Sequence, residues 1–294
     1  MAADQGPIVQ GAMLRAELFQ LRRDRNLTQE MVARALDWHP SKLIRIEGGK
    51  SRITKTDLQA LLRQYGVTSE SRQERLEELR EGSRSSAWWD DFRDDVDEAT
   101  FSFVGHEAGA SVVRQFENAL IPGTLQTREY ATVVVSNFVG SSGTKRLVTL
   151  RMRRQEAMRV REQPPRQYFI LDEAVIRRHI GVNTDPRIMS RQLRHIAERI
   201  EVDERISVRI VPFSAGAHPG VGGPFVLLEF DRGPADVLYI EGPDAVKTHS
   251  TFTSDSEAVF DYRNAFETLA EDALNAADSA ALIAVVADEI EAAH

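Results

Sequence analysis

Read for its apolar positions alone, the first third of the chain is a series of short amphipathic helices. Leu14, Leu18 and Leu21 recur at i, i+4 and i+7, a stripe that can pack on Val32 and Leu36 of a second helix. That second helix is predicted from Gln29 to Leu36, with Thr28 at its N-cap, where a hydroxyl accepts from the free N–H groups of the first turn. Asp37 and Trp38 make the turn. His39 then stands at an N-cap and Pro40 at the first helical position, where a missing N–H costs nothing and the fixed φ suits a helix start. The third helix runs to about Glu47, with Leu43 and Ile46 facing inward, Ser41, Lys42 and Arg45 facing outward, and Gly48-Gly49 ending it. Thr54 to Asp57 reads as a capping box with Asp in place of Glu, opening a fourth helix through Leu58, Leu61 and Leu62 to Tyr65. A charged helix from Ser69 to Glu81, with Leu76 and Leu79 as its few apolar positions, makes about five.

Beyond the small polar run Gly82-Ser83-Arg84-Ser85-Ser86, which reads as a hinge, the period of the pattern changes. Trp88-Trp89 reads as a packed domain edge or a dimer contact, with core the favoured role. Ser111–Glu117, Gln167–Leu171, Ile206–Val211, Phe225–Phe230 and Val237–Ile240 read as strands. Helices are predicted from Thr127 through Phe138, Lys145 to Arg161, Glu173 to Arg178, Pro186 to Glu201, Ser256 to Leu274 and Ser279 to Ala293. A Gly/Pro-rich loop spans Pro212 to Gly223. The expected architecture is a disordered lead-in at 1–10, an all-α helix-turn-helix domain at 11–82, and an α+β domain at 83–294 whose sheet is antiparallel or mixed and flanked by helices.

Charge divides along the same line. The 294 residues carry a net charge of -8, yet residues 11–66 hold 11 Lys+Arg against 6 Asp+Glu, so only the first domain has an electrostatic footprint for phosphate. An acidic remainder discourages non-specific wrapping of DNA, or serves solubility alone. The basic stretch Lys145–Arg161 is read as a solvated or acid-paired face in preference to a second DNA contact. With no cysteine there is neither a disulfide framework nor a thiolate metal site. The longest apolar run, Ala280–Ala287, is far short of the ~18 residues of a membrane span, and no basic-then-apolar signal pattern opens the chain. A soluble cytoplasmic protein is expected.

A short exposed helix with small and basic residues at its N-terminus is what the DNA major groove accepts. The LTQE at Leu27–Glu30, the PSKLIRIE run at Pro40–Glu47 and the YGV at Tyr65–Val67 together resemble the Xre/Cro-type helix-turn-helix family over about Ala12 to Val67. That resemblance implies that Gln29, Ser41, Lys42 and Arg45 meet DNA, that Thr28 presents a helix N-terminus to a phosphate, and that Glu47 pairs with Arg22, Arg23 or Arg25 to brace the first helix on the recognition helix. His39 and Lys50 join the expected DNA-binding set, as does Ile44, which touches a thymine methyl or packs. Asn26 and Asp37 stand where the family usually has glycine, both tolerable in the left-handed region, and Ile44 replaces a usual small polar residue.

The second domain resembles a large actinobacterial group of antitoxin-like transcriptional regulators, which join an Xre-type domain to a C-terminal domain of unassigned chemistry. The phrases that carry this are IPGTLQTREYA from Ile121, LDEAVIRRHIG from Leu171, QLRHI from Gln192, VPFSAGAHPG from Val211, GPFVLLEF from Gly223 and DVLYIE from Asp236. It implies transcriptional control, often beside a small neighbouring protein as partner. His179, where proline is usual, and the segment Gly242–Thr253 depart from the group.

Catalysis is not expected. His218 lies in the Gly/Pro loop near Glu229 and Glu241, but no G-x-S-x-G elbow supplies a nucleophile. There is no H-x-x-x-H or H-E-x-x-H metal spacing and no glycine-rich phosphate loop, so no cofactor and no metal are expected. His218 is read as tethering its loop or lining a cleft for a ligand or partner, with Glu173, Arg177 and Glu241 as the other residues of that cleft. The functional expectation is a homodimeric regulator on a near-palindromic operator in double-stranded DNA, with a body that receives a signal from a protein partner or small ligand. The rival expectations are an antitoxin-like body that mainly sequesters a small partner, with DNA binding as feedback, and a ligand-sensing or catalytic body.

Overall fold

The computed structural model describes residues 6–231, 234–241 and 250–294. They fall into two compact units, Met1–Asp90 with Phe230–Ala235, and Asp91–Glu229 with Asp236–His294. The division thus lies between Asp90 and Asp91 instead of within the predicted hinge. There the chain leaves its helix in tight turns, with the Ser83 hydroxyl donating to the Arg80 carbonyl and the Ser85 hydroxyl to the Gly82 carbonyl, each at 2.7 Å.

The first unit is a helical bundle. Its described helices are α1 (Gly6–Asp24), α2 (Gln29–Ala35), α3 (Pro40–Glu47), α4 (Lys55–Gln64) and α5 (Glu70–Gly82). Residues 6–10, expected in a disordered lead-in, instead open α1, while residues 1–5 lie outside the described residues. The reason is packing. Val9 extends the stripe of Leu14, Leu18 and Leu21 by one turn and is fully buried. Gln10 lies so close to Gly82 that a Cβ there would fall 1.5 Å from its Oε1. Core residues Val32, Leu43, Leu58, Leu61 and Tyr65 close over that stripe. The caps at Thr28, His39 and Thr54 form as read, accepting from the Met31, Ser41 and Asp57 N–H groups, and Ser69 caps α5 by accepting from Arg72. Asn26 and Asp37 adopt φ of 55° and 53°, the left-handed conformation that lets each turn follow its helix directly.

The second unit holds, among the described residues, a six-stranded mixed sheet in the order β3-β2-β1-β4-β5-β6. Its strands are β1 (Val112–Glu117), β2 (Arg166–Asp172), β3 (Ile206–Val211), β4 (Phe225–Glu229), β5 (Val237–Ile240) and β6 (Thr251–Thr253). β1, β2 and β3 are parallel to their neighbours in that run, and β1, β4, β5 and β6 pair antiparallel. The flanking helices are α6 (Glu98–Glu107), α7 (Arg128–Ser136), α8 (Ser141–Arg159), α9 (Glu173–Arg177), α10 (Ile188–Val202), α11 (Ser256–Asp272) and α12 (Ala276–Ala292).

Pleating assigns the two faces. Phe169, Leu171, Val208 and Ile210 point into a core with residues of α7, α10 and α12, among them Tyr130, Val134, Leu193, Ile196 and Ile283. Phe116, Ile170, Leu227 and Leu238 point the other way, against Val259, Phe266 and Leu269 of α11.

α6 is absent from the prediction, because Phe101, Phe103 and Val104 fit a short apolar run of either period. Asp97, which accepts from the Thr100 N–H at 2.7 Å, was its legible start signal. β6 falls in the divergent segment, of which residues 242–249 lie outside the described residues.

Candidate functional site

The helix expected to enter the groove, α3, is held from behind by one carboxylate. Glu47 accepts from Arg22 Nε at 2.7 Å and Arg22 Nη2 at 2.8 Å, and also from Gln29 Nε2 at 2.8 Å. Arg22 is therefore the partner among the three arginines considered. Its hydrogen bonds to Glu47 raise its pKa further. α1, α2 and α3 are locked together at this point, and the side chains of the ion pair are only 8% and 5% exposed. The buried Tyr65 hydroxyl has no hydrogen-bond partner, and burial together with Glu47 pushes its pKa up.

The expected DNA-binding residues separate into two groups. Thr28, His39, Ile44, Arg45 and Lys50 are exposed, Ile44 by 51%. Arg45 and Lys50 have no hydrogen bond or ion pair among the described residues, so their charges are available. Gln29, Ser41 and Lys42 are half-buried and already engaged. The Ser41 hydroxyl lies 2.7 Å from His39 Nδ1 in the cap. Lys42 Nζ lies 2.6 Å from Asp57 Oδ1 and 4.0 Å from the centre of the Trp38 ring. Arg52, exposed just past the end of α3 and likewise unpaired among the described residues, was not singled out from sequence. Its signal was a third cation on the same side of Gly48-Gly49 as Lys50.

In the body the four cleft residues do not form one site. Glu173 accepts from Arg177 Nε at 2.5 Å and from the Phe213 N–H at 2.8 Å, bonds that together hold its pKa down against burial. His218 Nε2 meets Asp172 Oδ2 at 3.1 Å, while its Nδ1 is buried without a partner. The ring sits edge-on to Phe116 at 5.8 Å, and a Cβ on Gly220 would come within 2.1 Å of the Phe116 ring. These contacts fasten the Gly/Pro loop to the end of β2. Glu241 is elsewhere, past the end of β5, on the face that carries Tyr239.

Around Glu241 lies a cavity of about 90 Å3, walled by α6, α8 and the β1–β4–β5 part of the sheet. Its polar residues include Gln115, Glu117, Gln126, Arg151, Arg154 and Glu241. Glu117 is 8% exposed, and its carboxyl pKa is pushed up to about 8 by burial and by Glu241, opposed by a 2.7 Å hydrogen bond from Gln115 and by Arg151. Burial also raises Glu241, against the pull of Arg151 and Arg154, and lowers Arg151. Sequence reading placed Glu117 at a strand end and the arginines on a charged helix without joining them. The missed signal was the alternation of β1, which puts Gln115 and Glu117 on the inward face with Val113.

The arginines of α8 are satisfied mostly within the body. Arg154 pairs with Glu107 through two 2.7 Å bonds, Arg146 with Asp95, Arg153 with Asp91 and Arg159 with Glu156. This is the acid-paired face expected of the stretch. His179 Nε2 donates to the Pro186 carbonyl, 2.7 Å away, and so bridges the loop before α10.

A five-helix bundle presenting an exposed α3, joined in one chain to a mixed α+β sheet domain, defines a helix-turn-helix protein with a second folded body. Residues 14–84 match a helix-turn-helix domain. Residues 101–285 match a domain of unknown function, DUF5753, and the chain belongs to that family. No curated protein and no solved structure matches it. The helix-turn-helix domain points to DNA binding, and no described helix is long and apolar enough to cross a membrane.

Proposed function

We propose that the protein is a cytoplasmic, sequence-specific transcriptional regulator of the Xre type that binds a near-palindromic operator as a homodimer. The single observation that carries this is the outer face of α3 and the turn that follows it, where Ile44, Arg45 and Lys50 are exposed and both cations lack an internal partner among the described residues. Two such heads on a two-fold axis would read half-sites about one helical turn apart, or a multiple of it. Arg45 reads a base edge and Ile44 a thymine methyl; Lys50, Arg52 and the N-terminus of α2 at Thr28 hold phosphates. Gln29, Ser41 and Lys42 contribute from their internal bonds, Lys42 by sharing its ammonium between Asp57 and the duplex.

The body receives a signal from a small ligand or protein partner and performs no catalysis. In support, the one imidazole in its Gly/Pro loop has Nε2 taken by Asp172 and Nδ1 sealed from solvent, leaving no nitrogen for proton transfer to a substrate. Operator binding by Arg45→Ala and Lys42→Ala tests the head. Arg45→Ala should lose roughly 1 to 3 kcal/mol with its base preference relaxed, and Lys42→Ala should lose less and uniformly across sequences. Unchanged affinity in both folded variants would remove α3 as the recognition helix.

A further inference from the structure

The cavity in the body holds opposite charges that do not meet. Arg151 Nη1 donates to Gln126 Oε1 at 3.1 Å, and that amide is itself fixed by its Nε2 donating to the Ile121 carbonyl at 2.8 Å. No other hydrogen bond or ion pair joins Arg151 to a described residue, so most of its five N–H donors remain unused. Glu241 likewise makes no hydrogen bond or ion pair among the described residues. Glu117 uses one oxygen on Gln115 and leaves the other free. Arg151 and Glu241 are half-buried and line the cavity, so their remaining hydrogen-bonding capacity is open to water or to a ligand that enters it. A forked cation and two carboxylic groups with spare capacity, in a cavity otherwise walled by Phe103, Val104, Leu147 and Leu150, is a polar site built for something absent from the chain itself.

We infer that this cavity binds a small zwitterion, an α-amino acid with a short apolar side chain. Its carboxylate takes the open edge of Arg151, its ammonium lies between Glu241 and Glu117, and its side chain meets the apolar wall. Arg154 is excluded as the carboxylate partner because Glu107 already occupies it with two 2.7 Å bonds. A ligand with a single charge would leave the group of the other sign unpaired, which is why both charges are required. Size sets the side chain. The cavity of about 90 Å3 exceeds several-fold the roughly 10 to 15 Å3 that one water needs, and so suits a small aliphatic amino acid better than an aromatic one.

The inference rests on the reading of the body as a signal receiver, and its test separates the two. Isothermal titration and thermal melting of the full chain with glycine, alanine, valine, leucine and phenylalanine should give saturable binding, strongest between alanine and leucine. Isovalerate, which lacks the ammonium of valine, and isobutylamine, which lacks its carboxylate, should each bind at least about tenfold more weakly, a difference of roughly 1.4 kcal/mol. Glu241→Gln, nearly isosteric, should lose binding while melting no lower than the parent, and Arg151→Lys should weaken it. The assignment is overturned if none of the five amino acids binds at millimolar concentration, or if the single-charge analogues bind as well as valine. Binding that leaves operator affinity unchanged would keep the site and remove the signal-receiving reading.

Discussion

Single side chains set the stability of both units through charge placed out of water. Glu47 is the clearest case in the head, since one carboxylate satisfies Arg22 and Gln29 with 5% of its side chain exposed. Glu47→Ala would leave the Arg22 guanidinium buried without its counter-charge, and chemical denaturation should show a loss of about 3 kcal/mol or more. Glu117 acts in the opposite sense. The folded chain keeps its proton up to about pH 8, whereas an unfolded carboxyl releases it near its ordinary value of 4.5. Its contribution is full below the unfolded pKa and is lost as pH rises through the folded one. Glu117→Gln should therefore match the parent near about pH 5 and be the more stable by about 1 kcal/mol or more near pH 8, as read by urea unfolding across that range.

At the scale of elements, the helix-turn-helix owes its tightness to two residues that accept a left-handed backbone. Asp37, at φ 53°, lets α2 give way to the cap of α3 within two residues. Asp37→Ala should cost about 1 to 2 kcal/mol in thermal unfolding, with Asp37→Gly costing less because glycine carries no Cβ penalty. This part of the chain was legible because its signals are local. Thr28, Pro40, Thr54 and Gly49 each report a helix end through a neighbour within a few positions, and α3, β3 and β5 begin and end where the pattern placed them. α6 was lost because three apolar residues in a short run do not distinguish the periods, and residues 6–10 because only the packing of Val9 and Gln10 reveals their helix. The body's polar residues were illegible as a site. Glu117, Arg151 and Glu241 are far apart in sequence, and only the sheet register together with the packing of α8 brings them to one cavity.

For the whole molecule the division of charge supports the division of labour. Residues 11–66 carry 11 basic against 6 acidic residues, within a chain whose net charge is -8. Several of the body's cations are held by its own carboxylates, Arg146 by Asp95 and Arg154 by Glu107, whereas the exposed Arg45 and Lys50 of the head are not. Operator binding should then depend on salt with a slope set by the few cations around α3, and a double head should steepen it. The most direct measurement is binding of the purified full chain to duplex DNA from its own upstream region, against a scrambled duplex of equal composition, over a salt series. The account predicts preference for the upstream DNA by about 1,000-fold or more at physiological salt, with log affinity falling steeply against log salt and the preference reduced by Arg45→Ala. Equal affinity for both duplexes, with and without the amino acids above, would contradict it.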